Sequence, residues 1–157
     1  MTILFHMFYK PHYFQIHELV DKKTYLKFGD DALMFFNPIA LQMLDGLRDF
    51  LGVPLIVNNW RQDGPYEFSG FRPSWCQVGA EYSQHRLGNA FDIKLQFTGK
   101  LINPVRISIE NAFIKIINGQ ADERLKYLNC MEDIQFTPSW LHIDCRNIPD
   151  RIRIVKP

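Results

Sequence analysis

Cysteine is scarce in this chain. Three occur in 157 residues, Cys76, Cys130 and Cys145. They are odd in number, widely spaced and form no C-x-x-C pair, which excludes a disulfide framework and leaves reduced thiols as the expectation. An excess of either charge is also missing. Lys+Arg is 18 against 17 for Asp+Glu, a formal net charge of +1, so nothing marks a nucleic-acid binder or an acidic tail. No apolar run approaches the about 18 residues that a membrane span needs. The apolar start, Met1 to Tyr9, has no preceding Lys or Arg, is short and lacks a small-residue cleavage site, so no signal peptide is expected. Repeats, low-complexity stretches and Pro/Gly/Ser linkers are absent too. One domain over residues 1–157 is therefore expected.

What is present suffices for a core: 46% of residues are apolar and 14% aromatic. Phe14 to Val20 reads as a short helix. Asn37-Pro38 pairs an N-cap with proline at the first helical position. Ala40, Met43, Leu44, Leu47, Phe50 and Leu51 then recur at helical spacing, and Gly52 stops a helix over 38–51. Pro54 to Val57 reads as a buried strand. Residues 58–80 form a long loop rich in Gly, Pro, Ser, Asp and aromatics, and long ordered loops are usually functional. Ala90 to Phe97 alternates like a strand. Asn103-Pro104 repeats the capping signal, ahead of an apolar helical face (Val105, Ile109, Ala112, Phe113, Ile116, Ile117) closed by Gly119. Leu125–Cys130, Ser139–Cys145 and Arg151–Val155 read as three further strands. This order predicts an α+β fold, with a small, mostly antiparallel sheet and helices packed against it.

The chemistry concentrates in two strings. In SQHRLGNAFD, His85 lies in a polar turn, Gly88 permits unusual backbone angles, and Asp92 follows on a predicted strand. In WLHID, alternation points His142 and Asp144 to one side while Leu141 and Ile143 point into the core. If the two strands are neighbours, His85, Asp92 and His142 converge. Two imidazoles and one carboxylate, leaving a fourth position for water, are a standard ligand set for catalytic zinc. Such an ion lowers the pKa of its water towards ~7 and polarises a carbonyl, and a nearby carboxylate then serves as general base and acid. His6, His12 and His17 read as surface or packing residues. His17-Glu18 has no second histidine at position 21, so it is no zincin motif.

SQHRLGNAFDIK matches the S-x-H-x-x-G-x-A-x-D pattern of the zinc D-Ala-D-Ala peptidases, a group that includes carboxypeptidases, dipeptidases and phage endolysins. TPSWLHIDCR resembles the W-x-H-x-D segment of the carboxypeptidase-like branch common in phages. The helix and strand within FGDDALMFFNPIALQMLDGLRDFLGVPLIVNNW resemble those that precede the motif in that branch. The resemblance covers roughly residues 14 to 146. It implies the fold shared with lysostaphin-type enzymes and the hedgehog signalling domain, and one zinc ion held by His85, Asp92 and His142. Ser83 is then expected beside the first ligand, orienting its turn, and Asp144 behind the ligands. It also implies an arginine that holds a substrate carboxylate through its planar fork. Arg61 follows the predicted strand; Arg72 lies nearer to His85 and is slightly favoured.

One position departs from the pattern. Many of these enzymes carry the catalytic acid three residues before the last histidine, where this chain has Ser139. A hydroxyl cannot shuttle protons near neutral pH as a carboxylate does. Glu132 is the first substitute and Asp133 the second. The resemblance implies a zinc peptidase acting on bacterial peptidoglycan peptides, phage or prophage encoded, with no nucleic-acid partner. It would be made in the host cytoplasm and act on the wall after release, or as part of a virion. Ser139 keeps a second expectation open: a non-enzymatic zinc-holding module of the same fold among phage virion proteins. A cytosolic hydrolase unrelated to the wall is a third.

Overall fold

The computed structural model describes residues 8–95, 108–149 and 151–157. Its longest helix starts where the capping signal places it. The Asn37 side chain accepts a hydrogen bond from the Ile39 N–H, and Pro38 opens the helix. This helix ends at Leu51, and Gly52 adopts the left-handed conformation (φ 70°) that lets its N–H close onto Arg48 O. One face buries Ala40, Leu41, Met43, Leu44 and Leu47 in the core, while Phe50 is only half-buried.

The elements run α1 (Lys22–Phe28), α2 (Pro38–Leu51), β1 (Leu55–Ile56), β2 (Ala90–Leu95), α3 (Ile109–Asn118), β3 (Cys130–Glu132), β4 (Leu141–Asp144) and β5 (Arg153–Val155), with short 3-10 turns between. The class is α+β. The five strands are ordered β1-β2-β4-β3-β5, and every pairing is antiparallel except β3 with β5. Phe91, Ile93, Met131, Leu141 and Ile143 bury one sheet face in the same core as α2 and Ala112 and Ile116 of α3. No helix among the described residues is long and apolar enough to cross a membrane. The three cysteines are free thiols, as expected.

Several expected elements differ. The helix read over 14–20 shrinks to a 3-10 turn, Ile16–Glu18, and α1 follows it after Asp21, whose carboxylate caps Thr24 N–H. Gln96 and Phe97, the end of one expected strand, and Asn103-Pro104 and Val105 of the α3 signal lie outside the described residues. Within them α3 is capped by Ser108 instead. Of the expected strand over 125–130 only Cys130 is in a strand. Asp122 caps a 3-10 turn, Glu123–Leu125, and Leu125 and Leu128 are buried. Gly46 of α2 faces this turn so closely that a Cβ there would lie 2.1 Å from Arg124 O. Apolar spacing that resembled strand alternation is in fact a turn packed on a helix, and the strand proper begins only at Cys130. The last two strands are shorter than expected, starting at Leu141 and Arg153.

Gly88 joins the helical layer to the motif turn. Its φ is +68°, and a Cβ there would lie 2.1 Å from Phe35 O and 2.9 Å from Phe36 Cα. Its carbonyl also accepts from the Asn37 N–H that begins α2. Gly88→Ala therefore combines backbone strain with a clash against main chain. The expected loss is at least about 2 kcal/mol in urea unfolding, checked against the metal-free parent protein.

Candidate metal centre

Antiparallel pairing of β2 with β4 sets Asp92 directly opposite His142 and Ala90 opposite Asp144. Directly opposed residues share a face with Cβ atoms about 5 Å apart. The third member arrives from the turn before β2. Ser83 begins that turn and accepts the His85 N–H at 3.3 Å, and Gly88 ends it in the left-handed region. Ser83 thus takes the turn-orienting place expected of it. The long loop closes the site from the side. Ser69 O accepts the Asp92 N–H at 2.7 Å, and His85 O accepts the Arg72 N–H at 3.2 Å. This cover explains why the polar face of β4 is not wet: His142 is buried and Asp144 is fully buried.

Three side-chain atoms converge. His142 Nδ1 is 2.9 Å from Asp92 Oδ1, His85 Nε2 is 3.2 Å from the same oxygen, and the two ring nitrogens are 3.3 Å apart. Ligands at 2.0–2.2 Å from one ion are separated by about 2.9 Å in an octahedral site and about 3.3 Å in a tetrahedral one. The cluster falls between these limits. Each ring is tied at its far side. His85 Nδ1–H donates to Gly70 O at 2.8 Å, and His142 Nε2–H donates to Asp144 Oδ2 at 3.1 Å. These bonds leave His85 Nε2 and His142 Nδ1 as the inward donors, the tautomers a metal needs. Asp92 turns Oδ1 inward while Oδ2 accepts Arg72 Nη2 at 2.7 Å. The group is therefore a buried His85–Asp92–His142 set within metal-binding distance.

The charges support this. Burial, its largest influence, opposes ionisation of Asp92, yet the hydrogen bond from His142, with the neighbouring His85 ring, holds its carboxyl well below the usual range. Burial also pushes the His85 pKa down, so its ring is neutral and able to ligate. For His142 burial works downward, but the bonds to Asp144 and Asp92 prevail and raise it to about 9. Without a metal, His142 is thus an imidazolium clasped between two carboxylates, and a cation at the centre would take over the place of its Nδ1 proton.

The other expected residues divide. Glu132 ends β3, lines the same cavity, and places Oε1 3.9 Å from His142 Nδ1. Burial raises its pKa, with His142 acting against the rise. Asp133 does not line that cavity; its carboxylate accepts the Gln135 N–H at 3.0 Å and stabilises the turn after β3. Ser139 is exposed in the turn before β4. Arg72 lines the cavity, with Nη2 on Asp92 and Nε on Phe68 O, which makes it a holder of the ligand carboxylate. Arg61 is elsewhere, against His17 Nδ1 and the Tyr25 ring.

Arg146 was not read from the sequence. It grips Asp144 through Nε–Oδ1 (2.8 Å) and Nη2–Oδ2 (2.5 Å), and its own N–H bonds Oδ1. Its signal was available in the i, i+2 spacing from Asp144 at a strand end. Trp140 and Lys156 also line the cavity. Comparison with protein-family models, with curated proteins and with solved structures gives no match.

Proposed function

We propose that this chain is a zinc-dependent peptidase that cleaves peptides of bacterial peptidoglycan, with the fold of the D-Ala-D-Ala peptidase and hedgehog group. One observation carries the reading: two imidazole nitrogens and a carboxylate oxygen meet at 2.9–3.3 Å with both far ring nitrogens anchored, and a raised-pKa glutamate borders the same cavity. The donor set suits zinc, which takes two nitrogens and one oxygen and keeps a fourth position open. The chemistry such an ion supplies is Lewis acidity, activating water and polarising a peptide carbonyl. The residues do the rest. His85 and His142 are held in the ligating tautomers by Gly70 and Asp144, Arg72 and Arg146 hold the two carboxylates, and Glu132 takes a proton from attacking water and returns it to the departing amine. The wall peptide as substrate rests on the resemblance of SQHRLGNAFDIK and TPSWLHIDCR. So does a phage or prophage source, with action on the wall after release or within a virion.

Zinc-loaded protein incubated with purified peptidoglycan is expected to release peptides of defined mass, and chelation is expected to stop it. Stoichiometric zinc with no product from any wall preparation would transfer the chain to the alternative reading, a zinc-stabilised module without turnover.

A further inference from the structure

A second cavity, of about 990 Å³, adjoins the metal centre. Arg72 and Gly79 line both cavities, so the two are neighbours across these residues. Gly79 packs closely on that arginine: at φ +81°, a Cβ there would lie 2.5 Å from Arg72 Nη1. Beyond this point one side of the groove is α1, which presents Lys23 and Lys27. Four residues apart, they sit one helical turn above each other. Both are exposed, and neither forms an ion pair among the described residues. Instead Lys23 Nζ lies 4.5 Å from the Trp75 ring centroid and Lys27 Nζ lies 5.0 Å from that of Phe28. Trp75 itself is 45% exposed. Phe35 and Phe71, stacked at 4.9 Å, also line the groove.

The other two cations of the groove are committed: Arg72 holds Asp92 Oδ2 through Nη2 and Phe68 O through Nε. Arg86 donates to Pro73 O, Ser74 O, Cys76 O and Ala80 O, which fixes the loop that forms the opposite wall. Glu81 is the one carboxylate among the lining residues. The groove is thus aromatic-walled, carries two ammonium groups that form no ion pair among the described residues, and lies beside the metal centre. Its field is local, since the chain as a whole is near neutral.

From this we infer that the groove binds the part of the substrate peptide that extends away from the scissile bond, and that Lys23 and Lys27 select a free carboxylate on that part. The inference rests on the proposed peptidase reading for the identity of the ligand, and it names two specificity-determining residues outside the motifs. Two long side chains offering point charges give a modest preference, because exposed ion pairs are weak and screened by salt.

The test uses the full chain, loaded with zinc and carrying Glu132→Gln so that nothing is consumed. Two wall peptides are titrated by calorimetry: one with its glutamyl carboxylate free, the other with that group amidated. The free-carboxylate peptide is expected to bind about tenfold more tightly. Adding Lys23→Gln and Lys27→Gln is expected to bring the ratio of the two dissociation constants close to one, as is raising the salt tenfold. Equal binding of the two peptides, or a ratio unchanged by the lysine substitutions, overturns the inference. The wild-type protein separates this from the broader reading. Cleavage of both peptides without preference sinks the groove and leaves the peptidase. Carboxylate-dependent binding without cleavage sinks the peptidase and leaves the groove.

Discussion

On the proposed zinc reading, His142→Ala is expected to remove stoichiometric zinc binding, and Asp144→Asn is expected only to weaken it. His142 supplies Nδ1, one of three inward donors, and beyond His85 no imidazole or thiol among the described residues joins the cluster. Asp144 touches only the far nitrogen of that ring. Loss of such an outer partner costs roughly 10–100-fold in metal affinity, and loss of the ligand itself exceeds that. The measurement is a chelator competition with purified protein. Equal losses in the two variants would mean that His142 acts through its fold and not through Nδ1. The pH dependence has a definite sign. In metal-free protein His142 is raised to about 9, so below that pH the ion must displace one proton. Apparent zinc affinity therefore rises with pH, roughly tenfold per unit, and levels off above about 9. Stability of the metal-free protein runs the other way. A histidine with a raised pKa contributes fully below its unfolded value of about 6.5, and the contribution fades as pH climbs through about 9.

The His85–Asp92–His142 cluster was legible from local rules taken together with the resemblance of its two strings. Alternation paired His142 with Asp144, the turn before β2 needed a glycine at Gly88, and the two strands only had to be neighbours for Asp92 to meet His142, which the observed register provides. Helix α2 was legible from its cap, proline and glycine. The choice between Arg61 and Arg72 was not, because both sit on one irregular loop whose path is decided by tertiary bonds such as Phe71 N–H to Leu19 O and Asn58 to Ser69 N–H and Val20 O. Those bonds carry Arg72 to Asp92 and leave Arg61 beside His17. The stretch 125–130 misled for a related reason. Leu125 and Leu128 face the core from a turn, and three-residue spacing over so short a segment does not separate a turn from a strand. Helix α1 with its two groove lysines carried no apolar periodicity to reveal it, since only Thr24 of its seven residues is buried.

The second large effect is expected of Glu132→Gln: on the proposed peptidase reading it should retain zinc and lower hydrolysis of wall peptide by about 10²–10⁴-fold. The substituted amide keeps the shape of the cavity wall and loses the ability to accept a proton. The position differs from the acid three residues before the last histidine, which here is the exposed Ser139, but the sheet supplies an equivalent approach. Antiparallel pairing of Met131 with Ile143 carries the next residue of β3, Glu132, alongside His142. Asp133, one residue on, is spent on the turn at Gln135 N–H. Asp133→Asn is therefore expected to keep wild-type turnover, and the pair of variants distinguishes the two carboxylates. Burial raises the Glu132 pKa, and a base works only when deprotonated. The acid limb of kcat/KM that Glu132 sets in the wild type should accordingly vanish with Glu132→Gln. Turnover that survives in Glu132→Gln and fails in Asp133→Asn would move the proton-transfer role along the strand. A zinc-replete wild type with no turnover at all would mean that no carboxylate takes the place of the acid that the peptidases it resembles carry at the position of Ser139, and that the buried centre serves the fold alone.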